Sequence, residues 1–249
     1  EQYPMLRALQ TPTGRRNAGL SPRIIGPMLL MWGLSVIVLI WQRDLGTATL
    51  FFIVFLLLLY VASGFTWLLF GGALLIVAAG VVAYALFDVV QLRVDIWLNP
   101  WPDANNRAFQ IVQSLFAFAQ GSVFGQGIGG GSPGYIPVVH SDFVFAAIAE
   151  EWGLLGVITM LTSIAIVVTR GLRTAARLNR RPYLSLLATG LSLLIAVQSL
   201  LITGGVLKLI PLTGVTLPFL SYGGSSLVAN FIIIGLLLRL SAEDVDRGA

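Results

Sequence analysis

The chain has no cysteine, one histidine and few charges: only 10% of its 249 residues are Asp, Glu, Lys or Arg. Without cysteine, disulfide staples and thiolate metal sites are excluded. The single histidine, His140, excludes a histidine-rich metal centre. Soluble domains carry about 25% charged residues. A chain this poor in charge and 57% hydrophobic reads as an integral membrane protein. The Gly-rich stretch GSVFGQGIGGGSPG has no Lys followed by Ser or Thr, so a Walker A phosphate loop is excluded. No convincing internal repeat is present, which argues against a carrier built from repeated halves. There is also no initiator Met and no signal peptide with a charged start and an apolar middle, so a fragment or a processed form is expected.

What the chain does have is long apolar runs. Residues 1–23 are polar and carry Arg7, Arg15, Arg16 and Arg23. Six later segments approach or exceed the ~20 apolar residues needed to cross ~30 Å of hydrocarbon. They fall at about 24–41, 45–62, 65–87, 143–169, 183–203 and 223–240. Gln42, Arg43 and Asp44 form a charged hairpin tip between the first two, and SGFT at 63–66 turns the chain on the opposite side.

The net charge of +4 does not point to nucleic acid, because the Arg residues sit beside apolar spans as topology determinants do. With the N-terminus in the cytoplasm, the inner segments hold Arg170, Arg173, Arg177, Arg180, Arg181, Arg239 and Arg247 besides the four N-terminal arginines. The outer side keeps Arg43, Arg93, Arg107 and Lys208. That asymmetry predicts both termini inside and a long outer loop at 88–142. The expected organisation is one membrane domain over 1–249: a cytoplasmic segment at 1–23, three spans within 24–87, the extracytoplasmic loop at 88–142, three spans within 143–240 and a cytoplasmic tail at 241–249.

The outer loop is too long for a passive connector. Trp97 and Trp101 with Pro100 and Pro102 suit a segment lying at headgroup level, and their aromatic rings read as membrane anchors. At 107–119, Ile111, Leu115 and Phe118 share one helical face, which predicts an interfacial or re-entrant helix. Beyond the fifth span, GGVLKLIPLTGVTLPFLSYGGSS interrupts the helical pattern with Gly and Pro. Broken backbone at membrane depth must be buried in protein or line a wet cavity, so this segment is either a wall of a site or a plain outer loop.

Asp142 stands where the Gly-rich loop meets the long apolar helix, next to Ser141. An Asp there reads as a helix N-cap, accepting a bond from a free backbone N–H, or as a functional acid at the outer face. Glu150 and Glu151 lie further along the same helix, where acids usually face an interior or a wet cavity.

In order along the chain, QRDLGTA, WLNPW, FQIVQSL, FGQGIGGGS, IPVVHSDFVFAAIAEEWGLLG and PLTGVTLPFLSYGGSS resemble the SEDS (shape, elongation, division and sporulation) family, typified by RodA, FtsW and SpoVE. The resemblance covers nearly everything from about residue 24 onward. It implies an all-α, polytopic membrane helix bundle: the last six of ten family helices, with an outer loop containing an interfacial helix. The chain departs from the family pattern at Arg43, where Pro is common, and in PVVHSD, where PEAHTD is frequent; Val138 thus replaces a Glu.

The resemblance further implies a peptidoglycan glycosyltransferase in the bacterial cytoplasmic membrane that polymerises lipid II in elongation or division. Its expected partners are lipid II, undecaprenyl-pyrophosphate-linked glycan, the lipid bilayer and a class B penicillin-binding transpeptidase. A lipid II flippase and a non-catalytic scaffold for that transpeptidase are the alternatives. Asp142 is then the catalytic acid residue, taking the proton of an attacking sugar hydroxyl. Arg93, Arg107 and Lys208 are candidates to hold the leaving pyrophosphate, with His140 and Ser141 as further substrate contacts. A divalent cation, Mg or Mn, held by Asp142 is the alternative charge source. Asp44 and Glu150 are expected to lend polar support.

Overall fold

The computed structural model describes residues 44–245, together with Gly33 and Ile37. Apart from those two helical positions, the predicted span at 24–41 and the tip residues Gln42 and Arg43 lie outside the described residues. Among the described residues the chain forms helices and irregular segments. Their order is α1 (Leu45–Ser63), α2 (Trp67–Leu86), α3 (Asp88–Leu98), α4 (Phe109–Gly121), α5 (Val144–Arg177), α6 (Pro182–Val206) and α7 (Gly224–Val245). Five of them, α1, α2, α5, α6 and α7, are long and apolar enough to cross a membrane, in line with the predicted spans that fall in this region.

Local chemistry sets the ends of these helices. Asp44 caps α1 by accepting the Thr47 N–H at 3.0 Å. Gly64 ends that helix in the left-handed conformation, and its N–H returns to the Tyr60 carbonyl at 2.7 Å. α2 stops at Phe87, whose extended backbone redirects the chain into α3. The first part of the stretch read as lying at headgroup level is thus helical.

α6 is the centre of the bundle, packed on α5 and on α1. Ala188, Ser192, Ile195, Ser199, Ile202 and Val206 are all buried along it. The small side chains let α5 come close: a Cβ on Gly171 would stand 2.1 Å from Ser192 Oγ. The buried hydroxyls satisfy themselves within the helix, Ser192 donating to the Ala188 carbonyl at 2.7 Å and Ser199 to that of Ile195 at 2.8 Å. α2 presents the opposite case, with Gly72 its one buried residue.

α5 is not the uninterrupted span expected at 143–169. It runs on to Arg177 and is broken at Gly153, where φ is 64° and ψ −161°. A break at membrane depth frees backbone groups that lipid cannot satisfy. Here the Gly-rich loop supplies the partners. Gln126 and Gly127 donate to the carbonyls of Glu150 and Glu151 at 2.9 and 3.0 Å, while Leu154 and Leu155 donate to those of Ser122 and Val123 at 3.0 and 3.3 Å.

The predicted interfacial helix is α4, two residues later than expected. Ile111 on the predicted face is buried, and Phe118 packs against Phe145 of α5 with ring centroids 5.4 Å apart.

Candidate functional site

The helical pattern of α6 ends at Val206, and the chain continues through turns into an irregular segment at 211–217. Lys208 enters this region with φ 60°, and its N–H bonds the Gly205 carbonyl at 3.1 Å. α3 lies across the segment. Arg93 donates to the Thr213 carbonyl at 2.8 Å, and the Trp97 indole N–H donates to that of Lys208 at 3.1 Å. From α6, Gln198 donates to the Thr216 carbonyl at 2.8 Å. The broken backbone is therefore packed against protein, with Val215 and Leu217 buried, and its carbonyls at Thr213 and Thr216 are paired by side chains; with Leu212 lining the adjoining cavity, the segment is a wall rather than a plain outer loop. Trp97 thus braces the entry to that wall.

The cavity has a volume of about 210 Å³ and is lined by Arg93, Arg107, Lys208 and Asp142, with Trp97, Gln110, Ile111, Gly205, Leu212 and neighbouring apolar residues. Four sequence-predicted site residues, separated by up to 115 positions in the chain (93 to 208), thus meet in one space. Three basic groups face one carboxylate, so the cavity favours an anion. Arg107 is the loosest of them: its side chain is 72% exposed, and Asp103 stands 4.0 Å away.

Asp142 does not cap α5. Phe143 occupies the N-cap position, and no side chain caps the helix. The reason is tertiary: Phe143 is 1% exposed, and its burial draws the helix start one residue past Asp142. Among the described residues the Asp142 carboxylate has no hydrogen-bond or ion-pair partner and is left to the cavity.

The loop carrying it is a run of tight turns. Ile136 bonds back to Pro133, Val139 to Ile136 and Ser141 to Val138, at 3.0 to 3.2 Å. Ile136 is itself buried. Val138, at the family's Glu position, has φ 55° and is exposed. Both ends of the loop are pinned. The Ser132 N–H donates to the Glu150 carboxylate at 2.8 Å. At the other end the Tyr222 N–H donates to the His140 carbonyl at 2.7 Å, and the Ser221 hydroxyl donates to the Ser141 carbonyl.

Four expected contributors stand elsewhere. His140 is exposed and packs edge-on against Tyr222 at 5.4 Å, and neither it nor Ser141 lines the cavity. Their backbones, not their side chains, hold the loop. Asp44 is engaged as the cap of α1. Glu150, 3% exposed, lines a separate space of about 160 Å³ with Gln113, Gln120 and Tyr135. Glu151 accepts the Gly129 N–H at 3.2 Å. Gln110, which lines the cavity, and Ser221, which bonds the Ser141 carbonyl, carry no local sequence signal of a site.

Asp142 is the one carboxylate lining the cavity, and no group of three His, Cys, Asp or Glu residues occurs among the described residues. With three cations around it, this donor set does not fit a divalent metal held by the protein. A larger apolar groove of about 810 Å³ runs along α5 between Ile128 and Phe219, and Asp142 is not among its lining residues.

Apolar spanning helices, a break in one of them sealed by a loop, and a buried irregular wall beside a mixed-charge cavity define a polytopic α-helical membrane protein with a site at one end of its bundle. A family model described as "Cell cycle protein", for FtsW, RodA and SpoVE, matches residues 7–245. The chain belongs to this family. It is 45% identical over 240 residues to a peptidoglycan glycosyltransferase RodA of Mycobacterium tuberculosis, covering 94% of this chain and 50% of the relative. It is also 34% identical over 226 residues to a probable peptidoglycan glycosyltransferase FtsW of Geobacter sulfurreducens, covering 87% and 58%. The chain spans about half the length of the curated relatives it matches. Among solved structures it is similar to a chain from work on the structural coordination of polymerization and crosslinking by a peptidoglycan synthase complex. The TM-score is 0.71 at 26% identity, with 96% of this chain and 66% of that one covered.

Proposed function

We propose that the protein containing this chain is a peptidoglycan glycosyltransferase that polymerises lipid II at the outer face of the bacterial cytoplasmic membrane. The observation that supports this reading is the meeting of Asp142 with Arg93, Arg107 and Lys208 in one cavity. Similarity to relatives named as peptidoglycan glycosyltransferases supports the substrate class.

In the proposed step, the 4-hydroxyl oxygen of one lipid-linked sugar bonds to the anomeric carbon of the growing chain. The bond from that carbon to the pyrophosphate oxygen breaks, and the bonding pair leaves with the lipid pyrophosphate. Asp142 takes the hydroxyl proton as general base; among the described residues its carboxylate has no competing partner. The three cations receive the charge that develops on the pyrophosphate, with Arg93 pre-oriented by its bond to Thr213. The outward orientation rests on the Arg and Lys asymmetry, and a class B penicillin-binding transpeptidase is the proposed partner.

The test is glycan synthesis from fluorescent lipid II by the full-length protein with its cognate transpeptidase, comparing wild type with Asp142→Asn. Loss of glycan chains in the variant is expected. Undiminished chains would overturn the role of Asp142, and lipid II movement across vesicles without polymer would replace the polymerase reading with the flippase one.

A further inference from the structure

The Asp142 carboxylate has no side-chain or backbone partner among the described residues, so its place is set by the peptide units on either side. On the far side Phe143 is buried. On the near side, the Ser141 carbonyl belongs to the very peptide bond that joins Asp142 to the loop, and it receives the Ser221 hydroxyl. Ser221 is 6% exposed. Its oxygen also accepts the Leu217 N–H at 2.8 Å, while its own N–H bonds the Leu217 carbonyl at 3.1 Å.

One hydroxyl therefore uses its donor and acceptor capacity together. It couples the end of the cavity wall to the peptide of Asp142, across 80 residues of sequence. The neighbouring Tyr222 N–H holds the His140 carbonyl, and the His140 and Tyr222 rings meet edge to face at 81°. Lys208 and Arg93 are held by other bonds, the Trp97 indole N–H to the Lys208 carbonyl and the Arg93 guanidinium to the Thr213 carbonyl. This joint thus places the acid against cations that are fixed separately.

We infer that Ser221 is a positioning residue that fixes Asp142 for proton abstraction by holding the Ser141–Asp142 peptide against the 211–217 wall. The inference rests on the reading of Asp142 as the general base. Substrate binding falls to Arg93, Arg107 and Lys208, so loss of the hydroxyl acts on kcat and leaves KM in place. A displacement of about 1 Å at a reacting group costs on the order of a hundredfold in rate.

The experiment compares wild type, Ser221→Ala, Ser221→Thr, Ser221→Cys and Asp142→Asn in the full-length protein with its transpeptidase. It measures kcat and KM for lipid II, and hydrogen exchange of the backbone at 139–146. Ser221→Ala is expected to lower kcat by about tenfold to a hundredfold at unchanged KM and to speed exchange at 139–146. Ser221→Thr, which keeps the hydroxyl, is expected to restore most of both. Wild-type kcat in Ser221→Ala, or a loss carried by KM alone, overturns the inference. Should Ser221→Ala fail to fold, the nearly isosteric Ser221→Cys decides: lowered kcat at unchanged KM supports it, and wild-type kcat overturns it. Asp142→Asn separates the two layers. If that variant is fully active, the general-base reading falls whatever Ser221 does; if it is inactive with unchanged exchange while Ser221→Ala turns over normally, only the positioning role falls.

Discussion

Gly153 and Gly125 stand against each other at the break in α5, so closely that a Cβ on Gly153 would lie 2.3 Å from the Gly125 nitrogen. The backbone of Gly153, at φ 64° and ψ −161°, is in a region that only glycine occupies readily. The pair is what lets a loop enter a membrane helix and pair its freed backbone groups.

Gly153→Ala is therefore expected to destabilise the protein by about 2 kcal/mol or more, from backbone strain plus the clash. Gly125→Ala, whose Cβ would meet the Glu151 carbonyl oxygen at 2.1 Å, is expected to do the same. Because both disrupt one contact, the double variant should cost less than the sum. Thermal unfolding in detergent checks all three.

Asp142→Ala should leave thermal stability within about 0.5 kcal/mol of wild type, since the side chain caps nothing. A capping Asp would instead cost about 1 kcal/mol on removal. On the proposed mechanism, the same substitution lowers kcat by a factor on the order of 10² to 10⁴. Unfolding curves and polymerisation rates on one preparation separate the two readings.

Arg93 and Arg107 are expected to differ in kind. Arg93→Ala removes a charged bond to the Thr213 carbonyl and should cost about 1.5–3 kcal/mol of stability as well as substrate binding. Arg107, exposed and with only a distant Asp103, should give a variant with wild-type stability and raised KM. The wild-type KM should also rise with salt, as expected where exposed charge attracts an anion.

Glu150 is expected to act as an acceptor for the Ser132 N–H. Glu150→Gln, which keeps an oxygen there, should retain the loop, while Glu150→Ala should loosen residues 129–136 and cost about 1–3 kcal/mol. Hydrogen exchange over that segment reads the difference directly. Inactivity of a well-folded Glu150→Gln would instead place its carboxylate in the chemistry.

Much of this was legible in advance because lipid is an unforgiving solvent. Spans announce themselves by length and apolarity, and the expected boundaries at 45–62, 183–203 and 223–240 differ by only a few residues from α1, α6 and α7. Asp142, Arg93, Arg107 and Lys208 stood out as charges in a chain that has few. The failures share a cause. Asp142 beside Ser141 carries the local signature of a cap, yet the burial of Phe143 shifts the helix start. Gly153 follows Glu150 and Glu151 in a run that is otherwise apolar, and a single glycine within a helical pattern does not by itself mark a break. Ser221 looks like any loop serine until Ser141 is brought to it.

By itself, then, the sequence determined that the chain lives in a membrane, where its helices lie and which charged residues are scarce enough to matter. Those properties follow from transfer of each residue between water and lipid, which needs no knowledge of neighbours. The tertiary structure alone decided which charges share a cavity, that among the described residues Asp142 has no partner while Asp44 and Glu150 are engaged, and how the break in α5 is sealed. Hydrogen bonds and steric fit act over about 3 Å, and such distances exist between residues 80 or 120 positions apart only once the bundle has formed.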